Sequence, residues 1–225
     1  MSHITPAELN TAAEETLKDL QARGEPLKPK DRMQIPLQEM PSQDPDVRRG
    51  NTSEVALGYS PAQALVESQR CLSCKKQPCV KGCPVGIDIR DFVEAIAEGD
   101  NAKAIAVIKQ SSLLPAICGR VCPQEVQCQA ECTVGKGLGD PEKSVSIGRL
   151  ERFVSDWERE TGLIGAPTVK PSTGRKVAVV GSGPAGLVVA ADVRREGHDV
   201  TVFEAFHKFG GVMLYGIPEF RLPKA

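Results

Sequence analysis

The sequence has no run that approaches the roughly 18 consecutive apolar residues of a membrane span, and its first residues lack the basic-then-apolar pattern of a secretory signal. Aromatic residues make up only 4% of the 225 residues, and they are not interleaved with a basic patch. Neither sign of charge dominates, because 28 basic residues balance 29 acidic ones. These absences argue against a membrane or nucleic-acid partner and predict a cytoplasmic protein.

Cysteine, by contrast, is concentrated in one part of the chain. Eight cysteines form two groups of four: Cys71, Cys74, Cys79 and Cys83, then Cys118, Cys122, Cys128 and Cys132. A proline follows Cys83 and another follows Cys122, and closely spaced thiolates with such Cys-Pro steps are typical of iron–sulfur proteins. In a cytoplasmic chain, clustered cysteines indicate metal rather than disulfides. The alternatives are two structural zinc sites or free buried cysteines.

The cysteine order also predicts that the two groups exchange ligands. In two-cluster ferredoxin-type runs, three closely spaced cysteines share one cluster, and the cysteine before proline reaches the other cluster. On this pattern Cys71, Cys74 and Cys79 hold cluster one, while Cys83 crosses to cluster two. Cluster one then takes its fourth ligand from the second group.

Three regions differ in composition. Residues 1–50 predict an N-terminal helix, from a Thr5-to-Glu8 capping box to about Arg23, and then an extended proline-rich strap or a mobile tail. Residues 51–165 predict an all-helical domain with the cysteines on its turns. Residues 174–225 predict the start of an α/β domain, after a Gly- and Pro-rich linker. The predicted helices are 60–71, 90–98, 102–110, 146–160 and 184–196, and the predicted strands are 176–180 and 198–204.

The predicted strand–helix turn carries a glycine loop, Gly181-Ser182-Gly183-Pro184-Ala185-Gly186. A lone loop of this kind is weak evidence, but this one follows a strand, opens a helix and has Glu204 18 residues after its last glycine. Such a loop brings the backbone close to a pyrophosphate at the helix N-terminus. An acid at Glu204 suits ribose hydroxyls and would repel a 2′-phosphate. FAD or NAD is therefore favoured over NADP at this site.

Several motifs together resemble one known family. They are Gln43–Arg48, Glu54–Tyr59, Arg70–Cys74, Pro78–Val85, Ile117–Pro123, Ile147–Phe153, the glycine loop and Gly210–Lys224. The chain from about residue 31 is similar to the FAD and iron–sulfur small (beta) subunit of NADPH-dependent glutamate synthase. It is equally similar to the large subunit of NADH-dependent ferredoxin:NADP+ oxidoreductase, also called sulfide dehydrogenase. The N-terminal part of dihydropyrimidine dehydrogenase is a more distant relative.

The resemblance implies a ligand set for each of two [4Fe-4S] clusters. Cluster one is expected on Cys71, Cys74, Cys79 and Cys132, and cluster two on Cys83, Cys122, Cys128 and Glu151. Cys118 is then left outside both sets. The predicted helix 146–160 lends some support, because Glu151 lies at the flank of an apolar stripe formed by Ile147, Leu150, Val154 and Trp157. The alternative is a partly exposed glutamate beside an arginine.

The resemblance also places FAD on the glycine loop, with Gly210, Gly211 and Arg221 in a segment that closes over the cofactor. A simple glycine-rich turn with a solvated Arg221 is the alternative. The implied function is an oxidoreductase that moves electrons between NADPH, FAD and a partner through the clusters, with no side chain in a proton-transfer role. The expected partner is a glutamate synthase large subunit or a ferredoxin- or NADH-linked flavoprotein.

Length is where this chain departs from the family. Family members continue with an NADPH domain and a segment that completes the FAD domain, whereas only two strands of that domain are expected here. The chain is then a fragment or one part of a split subunit, without an NADPH site of its own. Other hypotheses are a non-catalytic relay or docking subunit and a zinc-stapled interaction module.

Overall fold

A computed structural model describes residues 3–224, which form two compact units, the first ending at Gly162 and the second beginning at Leu163. The first unit is helical. Its helices are α1 (Pro6–Ala22), α2 (Pro29–Gln34), α3 (Pro61–Gln69), α4 (Pro78–Gly82), α5 (Ile89–Ala97), α6 (Asn101–Lys109), α7 (Pro115–Val121), α8 (Thr133–Leu138) and α9 (Ile147–Thr161). Three 3-10 turns lie at Arg48–Gly50, Gln124–Val126 and Pro141–Lys143.

Local sequence signals account for most helix ends. Thr5 and Ser60 each form a capping box with the side chain three residues later, and proline occupies the first turn of α1 and α3. Asp88 and Asp100 cap α5 and α6. A left-handed Gly162 ends α9 because only glycine adopts positive φ without strain. The five long helices predicted for this region agree with these bounds to within about two residues.

The core of the helical unit lies between α3, α5, α6 and α9. Phe92 and Ile96 on α5 and Leu150 and Val154 on α9 are almost completely buried. The stripe predicted on α9 therefore faces this core, with Trp157 partly buried at its end. A smaller cluster joins Ala13 of α1 to Ile35 and to Val66 of α3.

Two predictions for the first unit need correction. The proline-rich strap is not simply extended, because Pro29 begins α2 at the position where proline fits a helix. The segment after α2 is also packed, with Ile35 and Gln38 buried. In addition, three short helices, α4, α7 and α8, were not predicted, so Cys79 and Cys118 lie on helices rather than on turns. Five to seven residues carry too little periodicity to reveal a helix.

The second unit contains β1 (Lys176–Val180), α10 (Pro184–Arg195), β2 (Asp199–Phe203) and α11 (Val212–Tyr215). The two strands pair in parallel, with Val177 opposite Val200 and Val180 opposite Phe203. The α10 helix contacts both strands, as in a βαβ unit. Among the described residues of this unit, the buried apolar side chains are Val179, Met213 and Leu222. No helix within residues 3–224 has the length and apolarity needed to cross a bilayer.

Candidate iron–sulfur and nucleotide sites

One pocket of the helical unit is lined by cysteines from both sequence groups. Cys71, Cys74 and Cys79 of the first group line it together with Cys132 of the second. Cys71 follows the end of α3, Cys79 lies on α4, and Cys132 is the N-cap of α8. The remaining lining is mostly apolar and includes Ile89, Val93, Val134, Val145 and Ile147. The structure thus brings together the four residues expected to hold cluster one.

The loop of this pocket has a strained backbone. Ser73 (φ 49°) and Gln77 (φ 44°) are the two non-glycine residues with positive φ within residues 3–224. Such residues persist where the surroundings hold them, and they concentrate at binding and catalytic sites. Both lie between Cys71 and Cys79, so the strain is located where three candidate ligands must converge.

The second candidate set is assembled by two close backbone approaches. At Gly82, just before Cys83, a Cβ atom would come within 2.9 Å of the Gln127 carbonyl and 3.2 Å of the Cys128 Cα. At Gly119 on α7, a Cβ atom would lie 2.6 Å from the backbone nitrogen of Arg152. These contacts bring Cys83 toward Cys128, and they bring Cys118 on α7 and Cys122 at its C-terminal end toward Glu151. Cys83 is 45 residues before Cys128, and Cys122 is 29 residues before Glu151.

Among the buried carboxylates of the described helical unit, Glu151 is the one with an oxygen atom that has no hydrogen-bond partner. It is 6% exposed, and its Oε1 atom has no hydrogen-bond partner among the described residues. Burial raises the pKa of Glu151 to about 8. A buried carboxyl oxygen without a partner costs free energy unless a proton, a donor or a cation compensates it. Since Glu151 lies near Cys118, Cys122 and Cys128, its unsatisfied oxygen fits a ligand of an iron–sulfur cluster.

The thiols resist ionisation in the absence of positive charge. Burial, and secondarily the neighbouring cysteines, raises the pKa of Cys71 to about 11 and the pKa of Cys79 to about 12. Burial, with Cys83 and Cys122 nearby, also raises the pKa of Cys128 to about 12. Metal ligation requires thiolates, so binding here is coupled to proton release. The positive charge of iron would stabilise these cysteines in the thiolate form.

Cys118 also lies close to the second set. It is half-buried on α7, and its pKa is raised to about 11, first by burial and then by Glu151. The sequence interpretation left it outside both ligand sets. Among residues 3–224, no three His, Cys, Asp or Glu side chains are arranged as ligands of one metal ion.

The glycine loop of the second unit has the geometry of a phosphate-binding turn. Gly181 has φ of 93°, which suits glycine, and Gly183 is the N-cap of α10. A Cβ atom on Gly186 would collide with the Gly181 carbonyl oxygen, so glycine lets α10 begin directly against the loop. Ser182 is fully buried, Pro184 is in the first turn of α10, and Ala185 is exposed.

Of the other residues predicted to bind the nucleotide, three contact the glycine loop and one has an exposed side chain. Glu204 accepts hydrogen bonds from the backbone nitrogen of Phe206 and from the hydroxyl and backbone nitrogen of Ser182, and these bonds, the Phe206 bond first, lower the pKa of Glu204 to about 2. Gly210 donates to the Ser182 carbonyl at 3.1 Å, and Gly211 lies against Gly183. These residues surround the loop. The Arg221 side chain is exposed.

Sequence reasoning missed three buried arginines of the helical unit. Arg70, Arg120 and Arg152 each adjoin or lie within two residues of a candidate ligand, and their side chains are at most 5% exposed. Full burial is rare for arginine unless it is paired. Their positions beside Cys71, Cys122 and Glu151 were visible in the sequence, but their burial was not.

Comparison with known proteins supports two families of domain. Residues 48–163 match the family described as dihydropyrimidine dehydrogenase domain II, 4Fe-4S cluster. Residues 179–217 match the family described as NAD(P)-binding Rossmann-like domain. The helical unit and the βαβ unit thus each contain one of these two matches.

Individual relatives agree with these matches. The NAD-dependent dihydropyrimidine dehydrogenase subunit PreT of Escherichia coli O157:H7 is 40% identical over 76% of this chain and 40% of its own length. The glutamate synthase [NADPH] small chain of Azospirillum brasilense is 33% identical over 84% of this chain and 39% of its own. The putative oxidoreductase UacF of Escherichia coli K12 is 41% identical over 79% of this chain and 27% of its own. The chain spans about 40% of the length of the first two relatives.

Proposed function

Because this chain belongs to the dihydropyrimidine dehydrogenase domain II, 4Fe-4S cluster family, we propose that it is an electron-transfer oxidoreductase module with two [4Fe-4S] clusters. The observation that carries the proposal is the pocket where Cys132 joins Cys71, Cys74 and Cys79. Residues up to 61 positions apart in sequence line this one pocket, which supports their assignment as four thiolate ligands of one cluster. Cluster one is assigned to these four residues.

Cluster two is assigned to Cys83, Cys122, Cys128 and Glu151. The unsatisfied Glu151 Oε1 atom supports this assignment, since iron would provide the positive partner that the carboxylate lacks. Replacing one thiolate by a carboxylate gives the two clusters different reduction potentials, because ligand identity is a main determinant of potential. Apolar side chains line the pocket of the first set and limit the access of water to its ligands.

The second unit is assigned to FAD. The Gly181–Gly186 loop offers backbone N–H groups and the N-terminus of α10 to the pyrophosphate. Glu204 is held beside the loop as an anion by its hydrogen bonds, so it suits ribose hydroxyls and disfavours a 2′-phosphate. Gly210 and Gly211 are assigned to the cofactor's surroundings, with Arg221 as a further contact. When bound, FAD and the clusters supply the two-electron and one-electron chemistry that side chains lack.

The function of the whole enzyme is proposed from its relatives. Glutamate synthase small chains and PreT are subunits by name, which supports a redox partner for this chain. That partner is a glutamate synthase large subunit or a ferredoxin- or NADH-linked flavoprotein. NADPH oxidation is assigned to a region outside these 225 residues.

Anaerobic purification tests the cofactor assignment. We expect about eight iron atoms per chain and a broad visible absorbance that dithionite bleaches. Stoichiometric zinc without iron would refute the assignment. NADPH-driven bleaching by this chain alone would refute the absence of an NADPH site.

Substitution of Glu151 tests the ligand sets. Glu151→Ala should change or abolish the electron paramagnetic resonance (EPR) signal of one cluster and leave the other signal intact. Glu160→Ala, at an exposed position of the same helix, is the matched control and should leave both signals unchanged. Two unchanged signals in Glu151→Ala would show that Glu151 is not a ligand.

A further inference from the structure

Two ionic clusters lie in the helical unit, one beside each candidate ligand set; the first is buried, and in the second the arginines are buried and the carboxylates partly exposed. The Arg70 hub consists of Arg70 and Glu67, and the Arg120 hub consists of Arg120, Arg152, Glu54 and Asp156. We propose that each hub is a positioning device for one iron–sulfur cluster, the Arg70 hub for cluster one and the Arg120 hub for cluster two. This inference rests on the proposed two-cluster function.

The Arg70 hub joins three segments that are distant in sequence. Arg70 pairs with Glu67 at 2.6 Å and donates to the carbonyls of Lys143 at 2.6 Å and Ser144 at 3.1 Å. It also donates to the Ile35 carbonyl at 3.3 Å. Glu67 in turn accepts from the backbone nitrogens of Gln38 at 2.9 Å and Ser146 at 2.8 Å. Arg70 immediately precedes Cys71, so these bonds restrain the backbone next to the first ligand of cluster one.

The same hub reaches the crossed ligand, Cys132. The Ser144 hydroxyl donates to the Gln129 carbonyl at 2.9 Å, three residues before Cys132. On α8, which Cys132 caps, Gly135 packs so closely on Ser144 that any added Cβ would overlap the Ser144 hydroxyl. The path from Cys71 through Arg70 and Ser144 to Cys132 therefore consists of direct contacts. It fixes the distance between ligands that are 61 residues apart in sequence.

Arg32 also holds the segment that contains Cys71. Its guanidinium donates to the carbonyls of Gln69 at 2.8 Å and Cys71 at 3.1 Å. These are carbonyls at the end of α3, where the helix leaves acceptors unsatisfied. The segment around α2, which lies before the matched family residues, thus contributes to holding Cys71.

The Arg120 hub joins α7 to α9. Arg120 lies between Cys118 and Cys122 and contacts Glu54 at 2.7 Å and Asp156 at 2.8 Å. Arg152, which follows Glu151, contacts Glu54 at 3.0 Å and Asp156 at 3.2 Å. Each of these two arginines therefore contacts both carboxylates, and the exposed Arg159 also lies 3.5 Å from Asp156. This network fixes Cys122, which directly follows α7, relative to Glu151 on α9.

Stability alone is a weak explanation for these hubs. Removing paired charges from water costs free energy that their attraction often fails to recover, and well-packed apolar residues commonly stabilise as well or better. Directional bonds from a planar guanidinium, however, set distances more narrowly than apolar contacts do. One hub lies next to each ligand set. This location indicates that the hubs fix the distances between the ligand-bearing segments.

Matched double substitutions test the proposal. Glu67→Gln with Arg70→Met and Glu54→Gln with Arg120→Met each remove one cation and one anion, so neither changes the net charge. We expect the first variant to lose cluster one, with iron falling from about eight to about four atoms per chain, and the second to lose cluster two in the same way. EPR spectra of Cys79→Ala and Cys128→Ala identify which cluster remains. Loss of the same cluster in both variants, or no loss in either, would overturn the proposal.

Charge-conserving variants keep the proposal testable if either double variant unfolds. Lysine retains the charge but cannot reproduce the arginine fork. Arg70→Lys should shift the EPR signal and potential of cluster one only, and Arg120→Lys those of cluster two only. Unchanged signals would overturn the positioning role. Fewer than two clusters in the unsubstituted protein would instead contradict the proposed function, so the two failures are distinguishable.

Discussion

The two units differ in how their candidate sites are held. In the helical unit, candidate ligands lie on a core formed by α3, α5, α6 and α9, and buried ion pairs lock the ligand-bearing segments together. In the βαβ unit, two strands and two helices bury few apolar side chains, and the glycine loop is shaped by backbone geometry and by Glu204. Packing therefore determines the first site, and local backbone conformation determines the second.

Substitution of a core residue should produce the largest difference in stability between the two units. Ile96→Ala removes a side chain that is 1% exposed and should lower the free energy of unfolding of the helical unit by about 2–5 kcal/mol. Val200→Ala, on the partly exposed β2, should cost less than about 1 kcal/mol. Hydrogen exchange under urea, read on peptides from each unit, measures both effects. Equal costs would refute the difference in packing.

Gly119→Ala tests whether close helix packing forms the second ligand set. The new Cβ atom would lie 2.6 Å from the Arg152 backbone, and relief of this overlap should cost about 1–3 kcal/mol. We also expect an altered EPR signal from cluster two. Gly50→Ala adds a Cβ atom with no neighbour within 4 Å and is the control. A normal signal and unchanged stability in Gly119→Ala would contradict the close approach.

Gly186→Ala makes the corresponding test in the βαβ unit. Because the new Cβ atom collides with the Gly181 carbonyl, α10 must move away from the loop, and FAD affinity should fall at least about tenfold, or about 1.4 kcal/mol. Flavin fluorescence titration measures this change. Gly165→Ala, with no neighbour within 4 Å of the added atom, should bind FAD normally. Equal affinities would show that loop geometry does not control the site.

Ser182→Ala should have the smallest effect and tests the local network of the second site. Glu204 would lose one of its hydrogen bonds, so its pKa should rise from about 2 toward its ordinary value. A lowered carboxyl pKa stabilises the loop above about pH 4.5, and this contribution is lost as the pH falls toward 2. Carboxyl NMR titration of Glu204 measures the change. An unchanged pKa would indicate that the backbone donors alone set it.

Sequence patterns predicted some elements better than others. The bounds of β1 match the prediction, and α1, α3, α5, α6, α9 and α10 begin and end within about two residues of it, because caps, prolines and glycines mark their ends. The short α4, α7 and α8 were missed because a single turn or two has no measurable period. The burial of Ile35 and Gln38 in a proline-rich segment was missed for another reason, since it depends on contacts with distant residues. Ile35 packs with Ala13 and Val66, and Gln38 is hydrogen-bonded to Tyr59 and Glu67.

The sequence by itself determined the chemistry available to this protein: eight thiols in two groups, a glycine loop between two strands, and a glutamate at the flank of an apolar stripe. These follow from residue type and spacing, which local physics converts into helices, turns and a βαβ unit. The family resemblance already grouped Cys132 with the first three cysteines, but only the tertiary structure shows that the four line one pocket. The burial of Glu151 with no hydrogen-bond partner for Oε1 among the described residues, and the burial of Arg70 and Arg120 beside the candidate ligands, also appear only in the tertiary structure. The physical reason is that burial and convergence depend on which distant segments pack together, and that information is spread over the whole core rather than written in any one motif.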